Sequence, residues 1–249
     1  MTGPGSGRPG GTRGAGAAPA RSRRGWALSV VAAVAGTVLV VPYLTFDAGD
    51  SRLDVGGDLH YGVVVGHVLT AFVALVLGPL QFVPAIRTRR RVHRALGRTY
   101  LLAGVLPAAL TGIPAALLSG RVLTQVGLTI PAVGWLVTGW LAYRAARGGD
   151  FESHRRWMTR NYALTFLAVT ARAVVPLLLI AGAPFRDTEA GGPAADTVTD
   201  VIPVGQVLGW IVNLAVAELL IRRRRARAPA APAGGTRVRA GREYREHRE

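Results

Sequence analysis

The sequence predicts an all-α, polytopic membrane helix bundle with about six transmembrane helices and a four-helix core. Three observations predict it. Half of the 249 residues are apolar, and they are gathered into long blocks rather than spread evenly. The blocks run to roughly 20 residues, enough for a helix to cross a bilayer core of about 30 Å. The charges lie between the blocks, and arginine-rich connections alternate with arginine-poor ones.

The first block, 26–46, follows a basic, Gly/Pro/Ala-rich stretch at 1–24 that has almost no large apolar side chain. Such a stretch cannot bury enough surface to offset its ordering entropy, so 1–24 is expected to be a disordered tail. Arg21, Arg23 and Arg24 resemble the basic start of an export signal. The small-x-small site Ala33-Val34-Ala35 falls in mid-block, however, and the block exceeds a usual signal core, which points to an uncleaved first helix. Further blocks follow at 61–86, 95–118, 122–143, 157–183 and 201–221. The membrane domain is expected over 25–222, with a second basic, disordered tail at 223–249.

Arginine then sets an expected orientation. All 30 basic residues are arginine, and the formal charge is +16. Arg87, Arg89, Arg90, Arg91 and Arg94 follow the second block, and Arg144, Arg147, Arg155 and Arg156 follow the fourth. The connection after the first block instead carries Asp47, Asp50, Asp54 and Asp58. The one after the fifth carries Asp187, Glu189, Asp196 and Asp200. By the positive-inside rule both termini face the cytoplasm, which requires an even number of spans, and the compartment is the cell membrane. The charge is thereby explained without a specific nucleic-acid partner. The expected partners are the lipid bilayer and anionic head groups at the basic loops, with room for a homo-oligomer.

The chain has no cysteine, which removes disulfides, thiolate metal sites and cysteine nucleophiles. It also lacks a P-loop, a dinucleotide-binding fingerprint and an H-E-x-x-H pair. No metal centre and no reaction are read from it. Candidate functional residues are the ionisable groups at membrane depth, because such groups are costly there. His67 falls in the second block, Arg172 in the fifth and Glu218 near the inner end of the sixth. Arg172 is expected to face the bundle interior, near His67. Glu218 could pair with a local arginine. His93 and His154 open the third and fifth spans from the same side, so their rings can share one depth.

Several stretches carry a resemblance. They are His67, Gly78-Pro79-Leu80-Gln81-Phe82, His93-Arg94-Ala95-Leu96-Gly97-Arg98-Thr99-Tyr100, and His154-Arg155-Arg156-Trp157-Met158-Thr159-Arg160-Asn161-Tyr162. Together they resemble the bacterial membrane proteins of domain-of-unknown-function family 2306, over about residues 60–182. That resemblance implies a fold and no activity. A second similarity is to cytochrome b561-type haem proteins, which hold haem between histidines on a four-helix core. It implies His93 and His154 as one axial pair for haem b. The other pair of that pattern needs a histidine on the fourth span, where this sequence has none. Three classes of function therefore stand side by side: a membrane protein of unnamed activity, a haem-binding redox protein, and a small anion- or proton-coupled transporter.

Overall fold

The computed structural model describes residues 18–44, 57–182 and 194–227. Among them every regular element is helical. α1 (Ala18–Val40) closes in a 3₁₀ turn at Val41–Tyr43. α2 (Asp58–Leu80) follows. The short α3 (Pro84–Thr88) leads into α4 (Arg90–Thr99). α4 continues through a π-helical segment, Tyr100–Val105, into α5 (Leu106–Leu117). α6 (Val122–Arg147) and α7 (Phe151–Thr165) form a hairpin. α8 (Leu167–Gly182) and α9 (Ala194–Ala226) complete the order.

Among the described residues, five helices are long and apolar enough to cross a membrane singly: those at Gly25–Tyr43, Asp58–Leu80, Arg90–Leu117, Val122–Arg147 and Val198–Ala226. α7 and α8 pass the same test only as a pair bent by 49° at Phe166, which brings the number to six if the pair is one span. The fifth apolar block is thus two helices rather than one. The second block also breaks before its apolar run ends: α2 stops at Leu80, a turn follows over 81–83, and α3 takes Pro84–Thr88.

Residues 1–17 and 228–249 of the two expected tails lie outside the described residues. The parts nearest the bundle are helical: α1 starts at Ala18, and α9 runs on through Arg223–Ala226. Alanine and arginine are good helix formers, and extending an existing helix by one residue avoids the cost of nucleation.

The buried core lies where the π segment, α5, α6 and α7 meet α2. Ala74, Tyr100, Val105, Ala108, Ala109, Trp135 and Tyr162 are all buried in one cluster. Small residues let these helices approach closely, as they do where lipid provides no hydrophobic drive for association. Gly104 lies against Ala74 so tightly that a Cβ there would come within 2.9 Å of Ala74 backbone atoms. The four-helix core expected from the second to fifth blocks is therefore present at this meeting point. α1 packs outside it on α2, and α9 packs on α6, α7 and α8.

The α6–α7 turn is tight. Gly149 adopts φ +76°, a left-handed conformation in which a side chain would be strained. Asp150 then caps α7 by accepting the Ser153 amide at 2.9 Å. Hydrogen bonds from Ser153, first through its hydroxyl and then its amide, hold the Asp150 carboxyl below the usual carboxylate range.

Candidate functional site

Two polar layers cross the core, one above the other, and they are built by the same rule. In the deeper layer Asn161 of α7 is fully buried. Its amide donates to the Trp135 carbonyl at 2.7 Å and to Thr138 Oγ1 at 2.9 Å, both on α6. Its Oδ1 accepts the Tyr100 hydroxyl at 2.5 Å. Thr165 closes the layer, with Oγ1 2.8 Å from the Tyr100 oxygen and accepting the Trp135 indole N–H at 2.9 Å. Beside it the Tyr162 hydroxyl donates to the Leu75 carbonyl of α2 at 3.3 Å.

The second layer lies seven residues away on each helix. His93 precedes Tyr100 by seven, His154 precedes Asn161 by seven, and Ala142 follows Trp135 by seven. Seven residues are close to two helical turns, so each pair shares a helix face and sits roughly 10 Å apart. The antiparallel register of α6 and α7 repeats as well. Asn161 bonds to the carbonyl of residue 135, and His154 Nδ1 lies 2.9 Å from the carbonyl of residue 142. An imidazole bound to a carbonyl through Nδ1–H presents Nε2 as its free acceptor. His93 and His154 are near enough to act on one another electrostatically.

The layers differ in satisfaction. Every polar side chain of the deeper layer has a partner. In the outer one, His93 Nδ1 is buried with none. Gln81, at the end of α2 and buried, has its Nε2 equally unpartnered. It belongs to this region, because its Oε1 lies over Gly97, one turn beyond His93 on α4. Buried polar atoms without partners are uncommon and point to a missing water, ion or ligand.

Cations surround this layer. Arg87 acts on His93, and Arg155 and Arg224 act on Arg87, so residues of α3, α4, α7 and α9 converge here. Partial desolvation, and then those two guanidiniums, hold the Arg87 pKa below the ordinary arginine value. Among the described residues the ion pairs join Arg121 to Asp200, Arg156 to Glu152 and Arg160 to Glu218, and none of them involves this trio.

The remaining candidates fall elsewhere. His67 Nδ1 lies 2.7 Å from the Ala108 carbonyl, and the ring fills the notch left by Gly112, where a Cβ would overlap it. Its contacts are those of a packing residue between α2 and α5. Arg172 does not face the interior: it is exposed on α8, with one Nη donating to the Ala168 carbonyl at 3.3 Å. The inner face of α8 is set by Ala171 and Val175, which lie against Gly209 and Gly205 of α9. One residue on from Ala171, Arg172 is turned away by about 100°. Arg172 and His67 therefore do not share an inward-facing pocket.

Glu218 is half-buried and takes Arg160 in a two-point ion pair, Nε to Oε1 at 2.5 Å and Nη2 to Oε2 at 3.1 Å. The same guanidinium lies 4.7 Å from the centre of the Trp157 ring. This pair fastens α9 to α7.

The family pattern described as predicted membrane protein (DUF2306) matches residues 64–221. The chain belongs to this DUF2306 family. The match reaches past the resemblance read from the sequence to include α9, so it spans both polar layers and the Arg160–Glu218 pair. No curated protein and no solved structure matches the chain. The likeness to cytochrome b561-type carriers finds no counterpart in these comparisons. DUF2306 membership establishes a membrane protein with several apolar helices and names no activity.

Sequence reasoning missed the deeper layer, because only ionisable groups were weighed. Its signal was the seven-residue repeat from His93 to Tyr100 and from His154 to Asn161, both inside the quoted motifs.

Proposed function

We propose that this protein is a membrane electron carrier that holds one b-type haem at its basic end, between His93 and His154. The observation that carries the reading is the unsatisfied outer layer: two imidazoles near enough to interact, one oriented by a backbone carbonyl, beside two orphaned buried polar atoms. Histidines that bind metals commonly donate their other ring N–H to a carbonyl, as His154 does toward Ala142. The surroundings favour haem over a bare divalent ion. Arg87, Arg155 and Arg224 oppose a free cation, whereas guanidinium groups pair well with propionate carboxylates. Among the described residues no three His, Cys, Asp or Glu side chains come together, so a protein-only metal cage lacks ligands, while bis-histidine haem needs two. The haem would supply a one-electron couple. The chain's own part is to fix the two rings, anchor the propionates and exclude water.

This reading places the basic end in the cytoplasm and the protein in the cell membrane, with both termini inside. The exposed arginines of α4 rest on anionic head groups, each worth about 1 kcal/mol near the surface. A membrane domain over 25–222 lies between two basic tails. Protein purified from haem-replete cells is expected to show a Soret band that is lost in His93→Ala and in His154→Ala. A colourless preparation, or colour that survives both changes, overturns the proposal.

A further inference from the structure

The two sides of α4 are built differently. Gly97 and Tyr100 turn inward to Gln81 and Asn161, and His93 stands one turn before Gly97 on the same side. Arg91, Arg94, Ala95 and Arg98 share the opposite side, at the three-, four- and seven-residue spacing of one helical face. All four are exposed, and they line a shallow pocket of about 340 Å³ in which the small Ala95 leaves room between three guanidiniums. Among the described residues the ion pairs take other arginines, so no carboxylate neutralises these three. Arg94 donates through Nε to the Arg90 carbonyl at 3.3 Å, which leaves its two Nη groups for a ligand.

The depth of this face narrows what can cover it. The span Arg90–Leu117 has 28 residues, about 42 Å of helix. That exceeds a hydrocarbon core of about 30 Å and matches a bilayer with its head groups, about 40–45 Å. The apolar run starts at Leu101, so Arg98 stands at the hydrocarbon edge and Arg91 about 10 Å further out, across the head-group layer. Beyond Arg98 the outer surface turns apolar: Leu102, one turn on, is 65% exposed, and Leu106 is exposed as well. The change from cationic to apolar along this surface follows the polarity of a lipid from head to tail. A soluble acidic protein stops at the bilayer surface and does not reach Arg98.

We infer that this face of α4 is a site for an anionic phospholipid with two phosphates, the diphosphatidylglycerol (cardiolipin) class. Three guanidiniums along about 10 Å of helix carry more charge than one phosphate diester neutralises. Guanidinium forks pair with phosphate oxygens at two points, so two phosphates joined through one glycerol engage the whole stripe. The acyl chains then lie on Leu102 and Leu106. The inference rests on the head-group contact proposed above and not on the haem, and it holds for whichever leaflet contains the arginine-rich end.

The test is native mass spectrometry of the full chain in detergent, titrated with cardiolipin or with phosphatidylglycerol. One cardiolipin per chain is expected, bound about fivefold or more tighter than phosphatidylglycerol, the worth of one further charged contact. Arg91→Gln, Arg94→Gln and Arg98→Gln combined should weaken it about a hundredfold, at about fivefold per arginine. Ala95→Glu places a carboxylate among the guanidiniums and should abolish the adduct. Arg144→Gln, Arg147→Gln and Arg223→Gln combined remove the same charge from the same end of the bundle and should bind as the parent does. Every changed position is exposed, so the core is left intact. Phosphatidylglycerol bound as tightly as cardiolipin, or equal loss in the two triple variants, overturns the inference and leaves charge attraction alone. Displacement by inorganic pyrophosphate, two phosphates with no tail, overturns it in favour of a soluble anion. None of these residues is placed among the haem's partners, so the Soret band and the lipid adduct fail separately.

Discussion

Tyr100 and His93 occupy equivalent places two turns apart, yet only Tyr100 is fully paired. That contrast shows how little tolerance a membrane core has at single positions. Gly104, one turn beyond Tyr100, is held against the Ala74 backbone, which cannot rotate aside as a side chain can. Gly104→Ala must push the helix carrying it away from α2. Overpacking of this kind typically costs about 1–3 kcal/mol. Gly62, on the same α2, has open space where a Cβ would sit, with nothing within 4 Å, so Gly62→Ala should be neutral or slightly stabilising. Thermal melting of the two variants in one detergent checks the contrast, and equal melting points would refute the close packing. From sequence alone both glycines read alike, as small residues in apolar blocks. What separates them is the neighbour across the helix pair, which no local pattern encodes.

Among the elements, the spans were legible because long apolar runs between arginine clusters have few other uses. The break at Phe166 was not. Thr165-Phe166-Leu167 contains neither proline nor glycine, and Pro176 lies well beyond the bend. What sustains the break comes from another helix. Asn213 of α9 donates to the Ala163 carbonyl on α7 at 3.0 Å and accepts from the Thr170 hydroxyl on α8 at 2.8 Å. One side chain thus splints both sides of the bend and satisfies a carbonyl next to it. Interhelical hydrogen bonds in membranes average about 0.6 kcal/mol each, so Asn213→Leu should lose about 1–2 kcal/mol. Unfolding in mixed micelles measures the loss. A variant as stable as the parent would show that the bend is held by packing alone. The candidate site was half legible for a related reason. Histidines stand out by type, whereas Asn161, Thr138 and Thr165 matter only through partners 23 to 65 residues away.

For the whole molecule, the starts of α4 and α7 and the ends of α6 and α9 bring the arginine-rich segments to one end of the bundle. The opposite end has Arg121 paired with Asp200. This asymmetry is larger than any single contact and sets the expected orientation. Reporter fusions after Asp58 and after Arg91 should report opposite sides of the membrane, the second cytoplasmic. Both on one side would overturn the span count as well as the orientation. The same asymmetry links the site to topology: the unsatisfied histidine layer lies among the arginines, so in the expected orientation an anionic group would reach it from the cytoplasmic side.

The π segment between α4 and α5 acts as a spacer of one residue. A π turn takes up one more residue than an α turn, and each residue carries about 100° of rotation. The N-terminal half of this span addresses α7 through Tyr100, while the C-terminal half, with Ala108 and Gly112, addresses His67 of α2. Deleting one residue within Tyr100–Val105 would let the span relax to an unbroken α-helix. The widened turn holds its extra residue within a single turn, so the two halves would keep their facing, and both addresses, Asn161 of α7 and His67 of α2, would survive. A one-residue deletion within Arg90–Thr99 has no such slack and swings everything on its N-terminal side by about 100°. The same motifs therefore tolerate one residue fewer inside the π segment but not in the α-helical turns beside it.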